Sequence, residues 1–117
     1  MADPAPESLL PLPPAVFHIL IALADRERHG YSIMQDVAER TGGGVQLSAG
    51  TLYSSIRRML EQGLIVELRD SPDPHSTDER RRYYGLAKFG RRVAAAEVAR
   101  LNALLQQARA TGLVPGE

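Results

Sequence analysis

Residues 48–62 constrain the fold more than any other stretch, because they combine a helical period with signals for both helix ends. The apolar side chains recur at i, i+4, i+7 and i+8, at Leu52, Ile56, Met59 and Leu60. Ser48 suits the N-cap, and Gly63 suits the left-handed position after the last turn. The pattern predicts an amphipathic helix over this stretch.

The polar side of this helix carries hydroxyls and arginines and no carboxylate before Glu61. Such groups donate to phosphates and base edges, which a carboxylate among them would repel. We therefore expect a helix that lies in the major groove of DNA, with candidate contacts at Ser48, Thr51, Tyr53, Ser54, Arg57 and Arg58.

The charge along the chain is unevenly distributed although the net charge is zero. Residues 1–39 contain two basic and six acidic side chains, whereas residues 40–92 contain ten basic and six acidic ones. The positive excess therefore surrounds the predicted DNA-facing helix, and this local excess matters more than the total. Thirteen of the fourteen basic residues are arginine, which suits phosphate contacts but also fits an arginine-rich genome.

The segments before this helix predict a proline-rich arm and two further helices. Residues 1–14 hold five prolines and predict a flexible N-terminal arm. From Ala15 to about Asp25 the helix is apolar nearly all round, which indicates burial on two sides, one of them against a second subunit. A polar turn at 25–30 separates it from a second helix over 31–41, and three glycines then form a connector.

After Gly63 the apolar period changes to two, which indicates strands. Leu64, Val66 and Leu68 alternate with Ile65, Glu67 and Arg69 and predict a half-buried strand. Residues 70–79 are expected to form a loop, and residues 80–86 the return strand, with Tyr84 in the core. Two antiparallel strands after a third helix form the wing of a winged helix-turn-helix, expected over residues 15–86. Arg80, Arg81 and Arg82 are its candidate DNA contacts.

The last helix, expected over residues 87–112 before a tail at 113–117, has two apolar seams about 100° apart. One seam contains Phe89 and Val93, and the other contains Val98, Leu101 and Leu105. The second would be an aggregation liability in water and therefore predicts a homodimer. The expected dimer interface comprises Phe17, Leu20, Val98, Leu101, Leu104, Leu105 and Ala108.

The sequence favours a protein without catalytic activity. It contains no cysteine and no G-x-S-x-G or H-E-x-x-H motif, and its three histidines lack ligand spacing. We therefore expect no enzyme, no cofactor and no metal. The apolar residues 15–24 follow an acidic stretch without Lys or Arg and are too few to span a bilayer, so we expect a cytoplasmic protein with no membrane partner.

Four motifs, taken together, resemble the PadR family of bacterial transcriptional regulators. They are His29-Gly30-Tyr31, Ser48-Ala49-Gly50-Thr51-Leu52-Tyr53, Glu61-Gln62-Gly63-Leu64-Ile65 and Arg81-Arg82-Tyr83-Tyr84-Gly85-Leu86. The resemblance runs from about Ala15 to Arg92, and the single terminal helix is similar to the short subfamily. Where the family usually has Thr-Glu-Ala-Gly, this chain has Ala87-Lys88-Phe89-Gly90, without a hydroxyl N-cap.

The resemblance implies a mainly α fold with a small β-hairpin, a winged helix-turn-helix with a long C-terminal dimerisation helix. It implies a repressor that binds a palindromic promoter site as a homodimer and is released by a small-molecule effector. Tyr31 joins the candidate DNA contacts, and Phe17 and Phe89 are the candidate effector pocket. The alternative is a winged-helix protein-interaction or ligand-sensing module without direct DNA binding.

Overall fold

Four α-helices and a small antiparallel sheet make up the part of the chain that the structure describes, residues 3–68 and 82–114. In this computed structural model the first element is a 3-10 turn and the last element is the longest helix. The elements are the turn Pro6–Leu9, α1 Pro14–Asp25, β1 Arg28–His29, α2 Gly30–Arg40, α3 Ala49–Glu61, β2 Ile65–Leu68, β3 Tyr83–Leu86 and α4 Lys88–Ala110.

Helix α3 begins and ends at the residues that mark its boundaries in the sequence. Ser48 is the N-cap, and its Oγ accepts a hydrogen bond from the Thr51 amide at 3.1 Å. Gly63 follows the last turn at φ +74°, a conformation that glycine adopts without steric penalty. The Leu64 amide then donates to the Met59 carbonyl at 2.9 Å, as in the Schellman motif. Both predicted ends are confirmed.

The core surrounds α1, which packs against α2, α3, α4 and β3. Of the predicted apolar face of α3, Leu52, Ile56 and Met59 are buried and Leu60 is partly buried. Burying each such side chain contributes about 2 kcal/mol relative to leaving it in water. This burial fixes the orientation of α3, because the face opposite the core must then point outward.

The sheet has three strands in the order β1-β3-β2, one more than the predicted hairpin. The expected polar turn at 25–30 contains β1, in which Arg28 pairs with Tyr84 and His29 pairs with Tyr83. A two-residue strand has no recognisable period, so its pairing depends on contacts that are distant in sequence.

The predicted face of the first wing strand is wrong for Val66. The alternation implies that Leu64, Val66 and Leu68 share a buried face, but Val66 is 46% exposed and Ile65 is buried. Leu64 is buried because it closes the turn after α3, before the strand begins at Ile65. Within the strand Ile65 is buried, Val66 and Glu67 are exposed and Leu68 is partly buried, so burial does not follow the predicted alternation.

Residues 6–12 pack against α4 and the core, although the sequence predicts a flexible arm. The 3-10 turn contacts α4, Leu12 is buried, and Leu9 and Leu10 are partly buried against the core. The Leu12 amide also donates to the buried carboxylate of Glu97 at 2.7 Å. Leucines placed between the prolines supply the apolar contacts, and the prolines reduce the entropy lost on ordering the segment.

Helix α4 starts in direct contact with the chain entering β2. The Ala87 amide donates to the Leu64 carbonyl at 3.1 Å. At Gly90 a Cβ would lie 1.9 Å from the same carbonyl oxygen, so only glycine allows this approach. Ala87 provides no side-chain cap, as the sequence indicates, and Phe89 is buried beside the junction.

The arrangement of three helices, a β2–β3 wing and a long terminal helix is a winged helix-turn-helix, and the predicted fold class is confirmed. The third strand extends the wing sheet at its α2 side without changing the architecture. Within residues 3–68 and 82–114, none of the helices combines the length and apolarity needed to cross a membrane.

Candidate nucleic-acid interface

The outward face of α3 carries all six side chains that the sequence proposes for DNA contact on this helix. Each is exposed, including Tyr53, whose side chain is half-exposed at 49%. The first carboxylate along α3 is Glu61, in the last turn. The group comprises Ser48, Thr51, Tyr53, Ser54, Arg57 and Arg58.

The hydroxyls at the start of α3 are partly engaged by the helix itself. The Ser48 hydroxyl donates to Thr51 Oγ1 at 3.1 Å, and the Ser54 hydroxyl donates to the Thr51 carbonyl at 3.2 Å. A threonine hydroxyl has one proton and two acceptor sites, so Thr51 keeps its own proton for a further partner. Of these three residues, Thr51 is the one with a donor available to a ligand.

Arg57 and Arg58 are exposed, and neither has a hydrogen-bond or ion-pair partner among the described residues. In contrast, Arg28, Arg40 and Arg100 each form an ion pair within the chain. A guanidinium that does not have to leave a carboxylate can bind a phosphate or a guanine edge without giving up an internal interaction.

Two tyrosines extend this surface toward the start of α2. Tyr31 is 58% exposed, and its ring is parallel to that of His29, with centroids 6.5 Å apart. The phenol ring of Tyr53 lies over Gly30, the residue that precedes Tyr31. The structure therefore brings Tyr31 and Tyr53 to neighbouring positions where α2 meets α3.

The described part of the wing contributes one arginine to the candidate surface. Arg82 is exposed, and its Nε lies 3.4 Å from Glu67 Oε1 on the neighbouring strand. Exposed pairs of this kind add little stability, so a phosphate can replace Glu67 at small cost. Arg80 and Arg81 lie outside the described residues. Tyr84 is buried, as the sequence predicts, and its pKa is raised by burial and by the nearby Glu67.

The N-terminal segment reaches the edge of α3. Pro13 and Val16 line a shallow depression of about 280 Å³ together with Ser54, Ser55 and Arg58. Residues next to the start of α1 are therefore neighbours of the DNA-facing candidates, although the sequence gives no indication of this.

The outer half of α4 presents an apolar stripe that the described part of the chain leaves exposed. The side chains of Val98, Leu101, Leu104 and Leu105 are between 40% and 55% exposed. Ala108 continues the stripe and is partly buried. Leu20, which the sequence assigns to the same interface, is fully buried in its own subunit, because α1 is covered by three helices and β3. It nevertheless lies at the base of the groove between α1 and α4.

The two candidate pocket residues, Phe17 and Phe89, lie in different environments. Phe17 lines an apolar groove of about 280 Å³ between α1 and α4, which also includes Arg91 and Val98. Phe89 is buried in the core and does not line this groove. The groove and the exposed stripe share Val98, so they form one continuous surface.

Arg28 is a buried residue that the sequence pattern does not identify. Its guanidinium, 7% exposed, donates to the Ala22 carbonyl at 3.1 Å and to the Ser32 hydroxyl at 3.0 Å. It also pairs with Asp25 at 2.8 Å and with Asp36 at 2.9 Å. These bonds tie the end of α1 to α2 across β1, so Arg28 holds the helix pair from which α3 projects.

Asp36 accepts hydrogen bonds from two arginines, Arg28 and Arg40. Besides Arg28 it accepts from Arg40, at 3.0 Å and 3.1 Å, and this interaction raises the pKa of Arg40. The network uses charges that the sequence places in a polar turn and on a solvated helix face. Only the folded chain brings them together.

Glu97 is the second buried charge that the sequence pattern does not identify. Its carboxylate accepts from the Leu12 amide and from Arg100 Nε, and Arg100 is the main cause of its lowered pKa. The available signal is its spacing, because Phe89, Val93 and Glu97 follow one another at intervals of four residues on a single helix face.

The chain matches the family model described as the transcriptional regulator PadR-like family over residues 19–96. A curated relative, an uncharacterized protein X from Lysinibacillus sphaericus, is 30% identical over 73 residues. That alignment covers 62% of this chain and 64% of the relative, so the chain spans somewhat less than two thirds of the relative's length.

Solved structures share the fold. A PadR family transcription regulator from hypervirulent Clostridium difficile R20291 superposes with a TM-score of 0.70 at 24% identity, over 83% of this chain and 96% of that one. Bacillus subtilis PadR, crystallised in complex with operator DNA, superposes with a TM-score of 0.61 at 19% identity, over 75% and 48% of the two chains. With the family match extending over most of the winged helix and into α4, the chain belongs to the PadR-like family of transcriptional regulators.

Proposed function

We propose that this protein regulates transcription by placing α3 in the major groove of DNA. The observation that carries the proposal is the exposed, carboxylate-poor face of α3, whose Arg57 and Arg58 pair with no other group in the described part of the chain. Family membership supports it, as does the fold that the chain shares with a PadR protein crystallised on operator DNA. Tyr31, Thr51 and Tyr53 would orient the helix, and Arg80, Arg81 and Arg82 would contact the backbone from the wing.

We further propose that the protein acts as a homodimer on a palindromic site. The exposed stripe of Val98, Leu101, Leu104 and Leu105 supports this, because its contiguous apolar surface is continuous with the groove beside Phe17. Two α3 helices would then enter successive major grooves on one face of the duplex, about 34 Å apart.

The proposed protein is a repressor that a small-molecule effector releases from DNA. It would act in the cytoplasm. The apolar groove between α1 and α4 supports this site, since it lies beside the proposed subunit interface. An effector bound there lowers DNA affinity only to the extent that it prefers one dimer geometry over the other. Phe17 remains a candidate effector residue in this groove, whereas Phe89 lies in the core.

Replacing both α3 arginines, Arg57→Ala together with Arg58→Ala, tests the DNA-binding surface. We expect the binding free energy for duplexes selected from a random pool to weaken by about 1–3 kcal/mol for each arginine that reads a base, because the two charge-assisted hydrogen bonds from the guanidinium to guanine are lost. For each arginine that holds a phosphate, the slope of log affinity against log salt should fall by about one. Fluorescence anisotropy at two salt concentrations measures both quantities.

A charge-matched double variant, Lys88→Ala with Arg92→Ala, is the control, since both residues are exposed on the first turns of α4 and outside the proposed surface. It should retain the affinity of the unmodified protein. Equal affinity and salt slope for the two double variants would contradict the assignment of α3. If no duplex sequence is enriched by the unmodified protein, the alternative of a winged-helix protein-interaction or ligand-sensing module is favoured.

A further inference from the structure

Helices α2 and α3 meet at a point that leaves no room for a side chain. Gly30, the first residue of α2, is buried. A Cβ added there would lie 2.6 Å from the Tyr53 hydroxyl oxygen, 3.0 Å from Cζ and 3.2 Å from Cε1. All three nearest atoms belong to the phenol ring of Tyr53, so this ring occupies the space that a side chain at position 30 would take.

The backbone at position 30 does not itself require glycine. The glycines with positive φ are Gly42, Gly43, Gly63 and Gly112, and Gly30 is not among them. Alanine is favoured over glycine by up to about 1 kcal/mol within a helix. The presence of glycine at this position is therefore explained by the ring that lies over it.

The position of Tyr53 gives this close packing a consequence for binding. The side chain is half-exposed, so part of the ring packs on the protein and part remains open to a ligand on the helix that carries Arg57 and Arg58. Arg57 lies one turn further along the same flank of α3. Any change that moves the ring also moves its hydroxyl relative to the arginines.

We propose that Gly30 is a positioning residue that fixes the Tyr53 phenol on the DNA-facing surface and sets the approach of α2 to α3. This inference rests on the proposed function. Alanine at position 30 forces the Tyr53 ring to move or the two helices to separate further, because a contact of 2.6 Å with the hydroxyl oxygen at the end of the ring is not tolerated. Both responses displace the hydroxyl from its present place.

A double-mutant cycle of the full chain tests the packing of Gly30 on Tyr53 without DNA. The four proteins are the unmodified chain, Gly30→Ala, Tyr53→Ala and the double variant. We expect Gly30→Ala to lower the Tm by about 3–6 °C when Tyr53 is present and to leave it unchanged or higher when Tyr53 is alanine. Gly50→Ala is the control for a helical glycine, since a Cβ there meets nothing within 4 Å and should not lower the Tm.

The same four proteins are then titrated onto a duplex selected by the unmodified chain. We expect Gly30→Ala and Tyr53→Ala each to weaken binding by about tenfold, and the double variant to bind no more weakly than Tyr53→Ala alone. If Gly30 affected only the stability of the fold, the effect of Gly30→Ala on DNA affinity would not depend on whether Tyr53 is present.

The outcomes separate the two levels of the proposal. Additive effects of the two substitutions on DNA affinity, with DNA binding by the unmodified chain intact, would overturn the positioning role of Gly30. An equal decrease in Tm for Gly30→Ala in both backgrounds would overturn the packing of Gly30 on Tyr53 itself. If the unmodified chain enriches no duplex, the proposed function fails together with the role of Gly30 on DNA.

Discussion

Gly90 occupies the point where the first turn of α4 meets the carbonyl of Leu64. We expect Gly90→Ala to reduce the free energy of unfolding by about 2–3 kcal/mol, because a Cβ placed 1.9 Å from that oxygen forces the backbone to move. The partner is a carbonyl and not the end of a flexible side chain, so rotamer changes cannot relieve the overlap. Urea unfolding followed by circular dichroism measures the decrease.

The matched substitution Gly50→Ala separates this overlap from the general preference of helices for alanine. A Cβ at Gly50 meets nothing within 4 Å, so Gly50→Ala should be neutral or slightly stabilising. If the two variants unfold at the same urea concentration, the proposed close approach of α4 to the chain before β2 is wrong.

At the scale of the elements, the sequence predicts what is encoded locally. Ser48 and Gly63 mark the ends of α3 because a cap and a left-handed residue act within one turn of the helix. Strand β1 is missed because its two residues are ordered by pairing with Tyr83 and Tyr84, more than fifty positions away. The helical patterns place Leu20 and Phe89 on apolar faces, but which neighbour covers each face depends on packing that the patterns do not specify.

In the candidate site, too, the features encoded locally are predictable and those that depend on contacts between elements are not. The exposed arginines of α3 are predictable, since the apolar face of that helix determines which residues point outward. The buried ion pairs of Arg28 and Glu97 are not, because each residue also needs partners from another element. Gly30 is part of a recognisable motif, but its packing against Tyr53 depends on the angle between two helices.

The N-terminal segment is the element whose attachment depends on pH. Folding lowers the pKa of Glu97 below its ordinary value of 4.5, mainly through the hydrogen bond from Arg100, with a further contribution from the Leu12 amide. A carboxyl with a lowered pKa stabilises the fold fully above its ordinary pKa, and the contribution disappears as the pH falls through the lowered value. We expect protection of the Leu12 amide from hydrogen exchange to begin to decrease only below pH 4.5 and to be lost as the pH falls through the lowered pKa of Glu97.

The variant Glu97→Gln should reduce protection of the Leu12 amide already at neutral pH and remove most of its dependence on acid, because the charge that pairs with Arg100 is gone. Glu7→Gln removes an exposed carboxylate from the same segment and is the matched control, with no expected change at Leu12. Identical exchange profiles for Glu97→Gln and the unmodified chain would exclude Glu97 as the attachment point.

For the whole molecule, the decisive question is what covers the apolar stripe of α4. We expect the variant Leu101→Glu with Leu105→Glu to sediment as a monomer at tens of micromolar, where the unmodified chain sediments as a dimer. Two carboxylates placed in an apolar interface would have to be desolvated without partners. The affinity of this variant for a palindromic duplex should also be lower, because a monomer places only one α3 helix on each site.

Ala103→Glu provides the control on the same helix, since position 103 lies on the side of α4 opposite the stripe and is exposed. It should leave both sedimentation and DNA affinity unchanged. A monomer for the unmodified chain at these concentrations would contradict the proposed dimer, whatever the behaviour of the variants.

The tight junction between α4 and the chain entering β2 has a mechanical consequence. Because Gly90 packs against the Leu64 carbonyl and the Ala87 amide donates to it, α4 is not free to rotate relative to the chain that enters β2. A helix of 23 residues is about 35 Å long, so a sideways shift of about 3 Å at its far end corresponds to roughly 5° of rotation at this joint. We expect the wing and α4 to rotate together as one rigid unit. A small rearrangement between the α4 helices of the two subunits would then change the orientation of both wings.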